Sequence, residues 1–259
     1  MRLESIQKIT IGEVQIGGPK VLICLPLVAG DLPALLRQAE ELTSMNPDLL
    51  EWRIDGYADV GIISHSLEAL KDLRRRIGTV PLIFTCRISA EGGFCAIDQT
   101  HRLKLIKAAA QTGLVEMVDV EMCNASTFIT EVKAACNGSG TRLILSYHNF
   151  EHTPDEAFIR DKLLKAQEMG ADVAKVAVMP DDYGDVLTLL NATYKARTQG
   201  LQIPMITMAM AGQGEISRIA GGLFGSDVTF ASGKAASAPG QIAIKRLREA
   251  MQVVYGDSM

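Results

Sequence analysis

Short apolar runs rich in β-branched residues recur along the chain. They lie at 21–28 (VLICLPLV), 49–55 (LLEWRID), 81–88 (PLIFTCRI), 117–122 (MVDVEM), 142–148 (RLILSYH), 173–178 (VAKVAV), 204–210 (PMITMAM) and 227–232 (DVTFAS). Each is consistent with a strand. Segments with helical spacing lie between them, for example 31–45 (DLPALLRQAEELTSM), 98–112 (DQTHRLKLIKAAAQT), 154–169 (PDEAFIRDKLLKAQEM) and 239–255 (PGQIAIKRLREAMQVVY). Asp31, Thr153 with Pro154, and Ser237 with Pro239 stand where N-caps and first-turn prolines belong. The strand starts are 28, 32, 36, 25, 31, 31 and 23 residues apart, room each time for a strand, a helix and two short loops. Eight parallel βα units favour an α/β fold closed as a (β/α)8 TIM barrel, and no G-x-G-x-x-G after the first strand speaks for a dinucleotide-binding sheet. The segment 8–17 (KITIGEVQIG) alternates about Gly12-Glu13 and predicts an N-terminal β-hairpin. In a barrel that hairpin would cap the bottom, leaving the opposite mouth for chemistry. No linker or low-complexity stretch divides the chain, so residues 1–259 read as a single domain.

With 47% hydrophobic and 22% charged residues in 259, the chain has enough apolar material for a sizeable core. Twenty-six Lys plus Arg against thirty Asp plus Glu give a net charge of -4 without a basic block, so nucleic acid is not an expected partner. Cys24, Cys86, Cys95, Cys123 and Cys136 stand singly, without C-x-x-C spacing, which suggests reduced thiols in a cytoplasmic protein. The N-terminal residues have no apolar signal core, and no run approaches about 18 apolar residues, so neither export nor a membrane span is expected.

In a barrel, catalytic groups stand at the C-terminal ends of strands, and strand residues two apart share a face. Glu51, Arg53 and Asp55 share one parity on the second strand. A solvent-exposed strand end whose charges pair with nearby loops would read the same way. Lys175 sits inside ADVAKVAVM. A buried ammonium tends to lose its proton, which is what a nucleophilic amine needs, although a lysine reaching out of the barrel end gives the same pattern. His148 ends the neighbouring fifth strand and, with an unperturbed pKa of about 6.5, could move protons beside that amine. Arg87 ends the third strand, and Glu91 follows in SAEGG, where a carboxylate could orient His148. Met208 and Met210 share a parity and could wall the cavity. Arg218, early in the helix after strand seven, could fork onto a carboxylate. The loop 232–241 (SGKAASAPGQ) has the small residues that permit opening and closing.

Six of these segments, LEWRID, FTCR followed by EGG, SYHNF, AKVAVMP, MAM and SAPGQ, resemble the type I 3-dehydroquinate dehydratase family in order and strand position, and the likeness extends along almost the whole chain. The resemblance implies a lyase that converts 3-dehydroquinate to 3-dehydroshikimate by syn elimination, the third step of the shikimate pathway, with no metal and no organic cofactor. It implies Lys175 as the imine-forming lysine, His148 as general acid and base, and Glu91 as the histidine's partner. Arg218 would hold the substrate carboxylate, while Glu51, Arg53 and Arg87 would contact ring hydroxyls. Met208 and Met210 would pack beside the imine, and Ser237 with Gln241 would close over the substrate. A homodimer is also implied. Strand one departs from the pattern, with Cys24 where many members carry Ser; an inward-facing Cys24 would weaken one hydrogen bond, by at most about 1 kcal/mol. Two rival readings remain. Another Schiff-base barrel lyase of the aldolase type would want a phosphate-binding glycine cluster, for which GGLFGSD at 221–227 is the one candidate. A non-catalytic scaffold would not need Lys175, His148, Glu91 and Arg218 together.

Overall fold

The apolar runs fold as strands and the intervening segments as helices. The computed structural model describes residues 2–233 and 239–256. In chain order the elements are β1 (Ile9–Ile11), β2 (Val14–Ile16), β3 (Leu22–Leu27), α1 (Leu32–Thr43), β4 (Leu49–Arg53) and α2 (Ile63–Ile77). Next come β5 (Leu82–Thr85), α3 (Gln99–Gln111), β6 (Met117–Glu121), α4 (Ser126–Ser139), β7 (Arg142–His148) and α5 (Glu156–Glu168). The last are β8 (Val173–Val178), α6 (Tyr183–Thr198), β9 (Met205–Ala209), α7 (Glu215–Ala220), β10 (Val228–Phe230) and α8 (Ile244–Tyr255). The eight-stranded sheet runs β10-β3-β4-β5-β6-β7-β8-β9. Beyond its last strand, the Asp227 N–H donates to the Met205 carbonyl at 2.7 Å, tying the start of β10 to the start of β9. This is the strand order of a (β/α)8 barrel.

Contacts divide the chain into two compact units. The first, Met1–Cys24 with Leu145–Met259, holds the N-terminal hairpin, most of β7, and β8, β9 and β10. Gly12, at φ +57°, makes the turn of the hairpin, and Ile11 pairs with Val14. The hairpin's flanks are fastened at the N-terminal end of β9, where Ser5 Oγ and the Gln7 N–H both donate to the Gln202 carbonyl at 2.8 Å. Deeper at that end, the fully buried Asp227 carboxylate takes Arg2, Arg197 at 2.6 Å and the Met205 N–H at 2.8 Å. The predicted position of the hairpin at the bottom is therefore borne out, and one carboxylate joins the N-terminal segment, α6 and the barrel strands.

The second unit, Leu25–Ile144, carries β4, β5 and β6 with α1 to α4. Strand alternation sorts its side chains. Trp52 and Phe84, paired in register, pack edge to face with centroids 5.6 Å apart, while Glu51 and Thr85 occupy the other parity. Asp31 and Asp98 cap α1 and α3 by accepting from the N–H groups of Ala34 and His101.

Several boundaries differ from expectation. β4 stops at Arg53, because Ile54–Gly56 turns into a 3-10 helix, so Asp55 leaves the parity it would share with Glu51 and Arg53. β5 stops at Thr85, which puts Arg87 beyond the strand instead of at its end. Helix α5 is capped by Asp155, whose carboxylate accepts from the Phe158 N–H; Thr153 instead donates to the Met179 carbonyl. The helical segment placed at 239–255 begins only at Ile244, because Pro239 and Gly240 form a turn, with Gly240 at φ +73°, and Ala243 is held in a bridge to Ser232. The expected cap Ser237 lies outside the described residues.

Replacing Asp227 with Ala leaves two buried guanidinium groups without their carboxylate. We expect a loss of about 3–5 kcal/mol, read as a lower urea midpoint; a loss under about 1 kcal/mol would show that the ion triad is dispensable.

Candidate active site

In the first unit, Lys175 lies midway along β8, whose residues are all buried. Its Nζ stands 4.8 Å from the centroid of the Phe230 ring on β10. The register pairs Lys175 with Ile206 and Ala177 with Met208, so all four share one face. The Asn149 N–H donates to the Ala177 carbonyl at 2.9 Å, which sets His148 opposite Ala177, on the face of Lys175 and two residues nearer the C-terminal end. His148 is half-buried, its ring stacked on Phe150 at 6.5 Å. Cys24 is fully buried and pairs with Phe230, so it too faces the interior, the condition under which a thiol in place of Ser would weaken one hydrogen bond.

Arg218 enters from α7 and is buried. Its Nη1 donates to the Met208 sulfur at 3.5 Å and the Phe230 carbonyl at 3.3 Å, and its Nη2 to the Pro239 carbonyl at 3.1 Å. Nε is buried without a hydrogen-bond partner, and among the described residues no carboxylate forms an ion pair with this guanidinium. Burial pushes its pKa down to about 10, with Glu215 offsetting part of the effect. Met210 is buried at the end of β9, followed by Ala211 at φ +54°. Gly240 lies against Ala211, where a Cβ would come within 2.0 Å of its carbonyl oxygen, so SAPGQ requires a glycine there. Gln241 is half-buried beside it.

The second unit carries a separate set of charges. Glu51 accepts from Thr85 Oγ1 at 2.9 Å, both fully or nearly buried. Arg53 forks onto Asp55 at 2.9 and 2.8 Å and lies 4.8 Å over the Phe94 ring. Arg87 pairs with Asp119 at 2.8 Å and Glu121 at 3.0 Å. Burial alone would lower the Arg87 pKa; Asp119, Glu121, Glu51 and Glu91 outweigh it and hold the pKa above its ordinary value. Glu91 closes the 3-10 turn Ser89–Glu91 and is buried. Among the described residues, no group of three or more His, Cys, Asp or Glu is arranged to hold a metal ion.

Sequence reading thus found Lys175, His148, Met208, Met210, Arg218 and Cys24 in one unit, and Glu51, Arg53, Arg87 and Glu91 in the other. It passed over Phe230, although an aromatic ending the last strand was a visible signal. It also passed over Asp119, Glu121 and Arg102. The two acids of MVDVEM share a parity, but the arginine that meets Glu121 sits on a helix, where a charge is usually solvated.

A buried lysine and a strand-end histidine on parallel strands, with a buried guanidinium that enters from α7 and has no carboxylate among the described residues, mark a (β/α)8-barrel enzyme. The model of the type I 3-dehydroquinase family matches residues 23–258. The 3-dehydroquinate dehydratase of Aromatoleum aromaticum is 41% identical over 94% of both chains, and that of Bacillus licheniformis 41% identical over 98% of both. The crystal structure of the enzyme from Geobacillus kaustophilus superposes with a TM-score of 0.96 at 39% identity, covering 100% of each chain. The type I enzyme from Clostridium difficile, solved with covalent modified comenic acid, superposes at 0.93 with 37% identity over 96% of this chain and 98% of that one. This chain belongs to the type I 3-dehydroquinase family and is a hydro-lyase acting as a 3-dehydroquinate dehydratase.

One observation tests the surroundings of Glu91 without an activity assay. Cys123 is open to solvent on one side; burial on the other, and then the Glu91 carboxylate to which it is hydrogen-bonded, push its thiol up to about 11. Iodoacetamide at pH 8 should therefore alkylate Cys123 roughly tenfold more slowly than free cysteine. Glu91→Gln should speed it, because the neighbouring negative charge is gone; peptide mass spectrometry reads both rates, and equal rates would separate the two groups.

Proposed function

We propose that the chain dehydrates 3-dehydroquinate to 3-dehydroshikimate by syn elimination through an imine on Lys175, with His148 as general acid and base, in the third step of the shikimate pathway. The observation that carries this reading is the meeting of Lys175 and Arg218 at Phe230, the amine on its ring and the guanidinium on its carbonyl. A nucleophilic amine beside an anion-binding group suits a keto acid. The covalent modification named for the Clostridium difficile relative fits a nucleophile in such a site.

The free amine of Lys175 adds to the ketone carbon, and loss of water with uptake of one proton from solvent leaves a protonated imine. A C–H next to a ketone is too weakly acidic for an imidazole to deprotonate unaided. The imine accepts the electron pair released at that carbon as an enamine, so His148 can take the proton. The enamine then expels the β-hydroxyl, which leaves as water with the proton returned by the imidazolium. Proton and hydroxyl depart from one side, so one histidine serves both transfers. Hydrolysis of the remaining imine restores Lys175 and frees the product. The Phe230 face favours a cation over it, and the protonated imine is one.

Arg218 would hold the substrate carboxylate, replacing weak partners, a thioether and two carbonyls, with a forked ion pair. Glu91 would orient His148, and Glu51, Arg53 and Arg87 would meet ring hydroxyls. Met208, Met210 and Cys24 would line the apolar side, and Gln241 with Ser237 would close over the ring. We place the enzyme in the cytoplasm as a homodimer of one catalytic domain per chain. All five cysteines are free thiols, as a reducing compartment requires.

Borohydride added during turnover of 3-dehydroquinate should leave a reduced adduct on Lys175, found by peptide mass spectrometry. His148→Ala should keep the adduct while kcat falls about 10²–10⁴-fold; an adduct elsewhere, or none, would turn attention to the aldolase reading. Arg218→Ala should raise KM about thirtyfold or more, with a smaller change in kcat. In the unmodified enzyme kcat/KM should fall as pH rises through about 10, because the guanidinium binds the anion only while protonated. A large kcat loss at unchanged KM would give Arg218 another role.

A further inference from the structure

The carboxylate of Glu121, at the end of β6, is fully buried and collects four donors. Oε1 accepts from Arg87 Nη1 and from the Ile88 N–H, both at 3.0 Å. Oε2 accepts from Arg102 Nη2 and from Asn124 Nδ2, the latter at 3.2 Å. The four donors arrive from three parts of the second unit. Arg87 and Ile88 follow β5, Arg102 projects from α3, and Asn124 closes the turn between β6 and α4. Arg102 is fixed in turn, donating to the Cys86 carbonyl at 2.7 Å and to Gln99 and Asn124 at 2.9 Å.

An arrangement of this kind is poor evidence for stability, since an apolar side chain of similar size would serve a strand end as well or better. What it does provide is position. The guanidinium of Arg87 is caught between Glu121 and Asp119, so it has one orientation. The Ile88 N–H is bound to the same carboxylate, and the Ile88 carbonyl accepts from the N–H groups of Glu91 at 3.0 Å and Gly93 at 2.9 Å. The turn that presents Glu91 therefore hangs on a residue, Ile88, whose N–H is held by Glu121.

We propose that Glu121 is a positioning residue for the dehydration, its one carboxylate setting both the Arg87 guanidinium and the turn that carries Glu91. The proposal rests on the roles given above to Arg87 and Glu91, and Glu121 itself touches no substrate.

Glu121→Gln keeps the shape but turns one oxygen into a donor facing donors. In the folded variant, kcat/KM should fall about a hundredfold, the effect of displacing positioned groups by a fraction of their length. The loss should appear both as a raised KM, through Arg87, and as a shifted pH profile of kcat, through Glu91. On an Arg87→Ala background the same change should raise KM by no more than about twofold, because the group it positions is gone. A residue that merely stabilises the fold would lower the melting temperature while leaving kcat, KM and the pH profile of the folded protein as they were, and that outcome overturns the proposal. If Glu121→Gln does not fold, Asn124→Ala removes a neutral amide that donates to the Glu121 carboxylate and carbonyl and accepts from Arg102 and Gln99, leaving every charge in place; it should lower kcat/KM about fivefold or more, the worth of at least one hydrogen bond, and a wild-type value there overturns it equally. Arg87→Ala and Glu91→Gln separate the two levels. If both keep wild-type kinetics, the underlying roles fail and the proposal with them; if both are impaired while the Glu121 and Asn124 variants are not, only the positioning role fails.

Discussion

An ionisable group inside an apolar barrel must be paired, lose its charge or wait for a ligand, and this constraint arranges the whole interior. The structure meets it differently in different places. Asp227 is met by two arginines and a backbone N–H at the N-terminal ends of the strands, so each of these guanidinium groups has a carboxylate. Arg87 is met by Asp119 and Glu121, and Arg53 by Asp55. Among the described residues, Arg218 is met by carbonyl oxygens and a thioether. The difference shows in the protonation equilibria. Carboxylates hold Arg87 above its ordinary pKa, whereas burial takes Arg218 down to about 10. A guanidinium whose lost hydration has not been replaced is the one that gains most from an arriving carboxylate.

How much of this can be read from the sequence follows from the same constraint. A lysine within AKVAVM breaks an apolar strand at one parity, and no packing reason explains it, so Lys175 is conspicuous. His148 is conspicuous because it ends a strand of otherwise apolar character. The eight strands and the hairpin are legible because their spacing and alternation are set by local geometry. Glu121 and Arg102 are hidden because each satisfies the other across elements of different period. On its helix Arg102 looks like any solvated arginine, and only the fold reveals that it is fully buried.

The element boundaries failed where tertiary bonds overrode local preference. Pro154 suggests a helix start, but the Asp155 carboxylate competes for the cap and wins by accepting from the Phe158 N–H, leaving the proline outside the helix. Pro239 and Gly240 look like another start. There the Pro239 carbonyl is taken by Arg218, Gly240 is pressed against Ala211, and the Ile242 carbonyl accepts from the Ser232 N–H, so the helix starts only at Ile244. At the second of these places the residues that defeat the local signal also contact Arg218 and Ala211.

Asp55 makes the same point from inside a strand-like run. Alternation would aim it with Glu51 and Arg53, and as a free third charge it would compete for whatever those two bind. The 3-10 turn at Ile54–Gly56 instead directs its carboxylate to the Arg53 guanidinium and to the N–H groups of Arg87 and Phe94. A charge that sequence reasoning would count as available for chemistry is thereby spent on the backbone. It fixes Arg53 and the start of the segment leading to Glu91. Where several acids cluster near a strand end, the number of backbone donors on each carboxylate therefore separates those that build the site from those that remain to act in it.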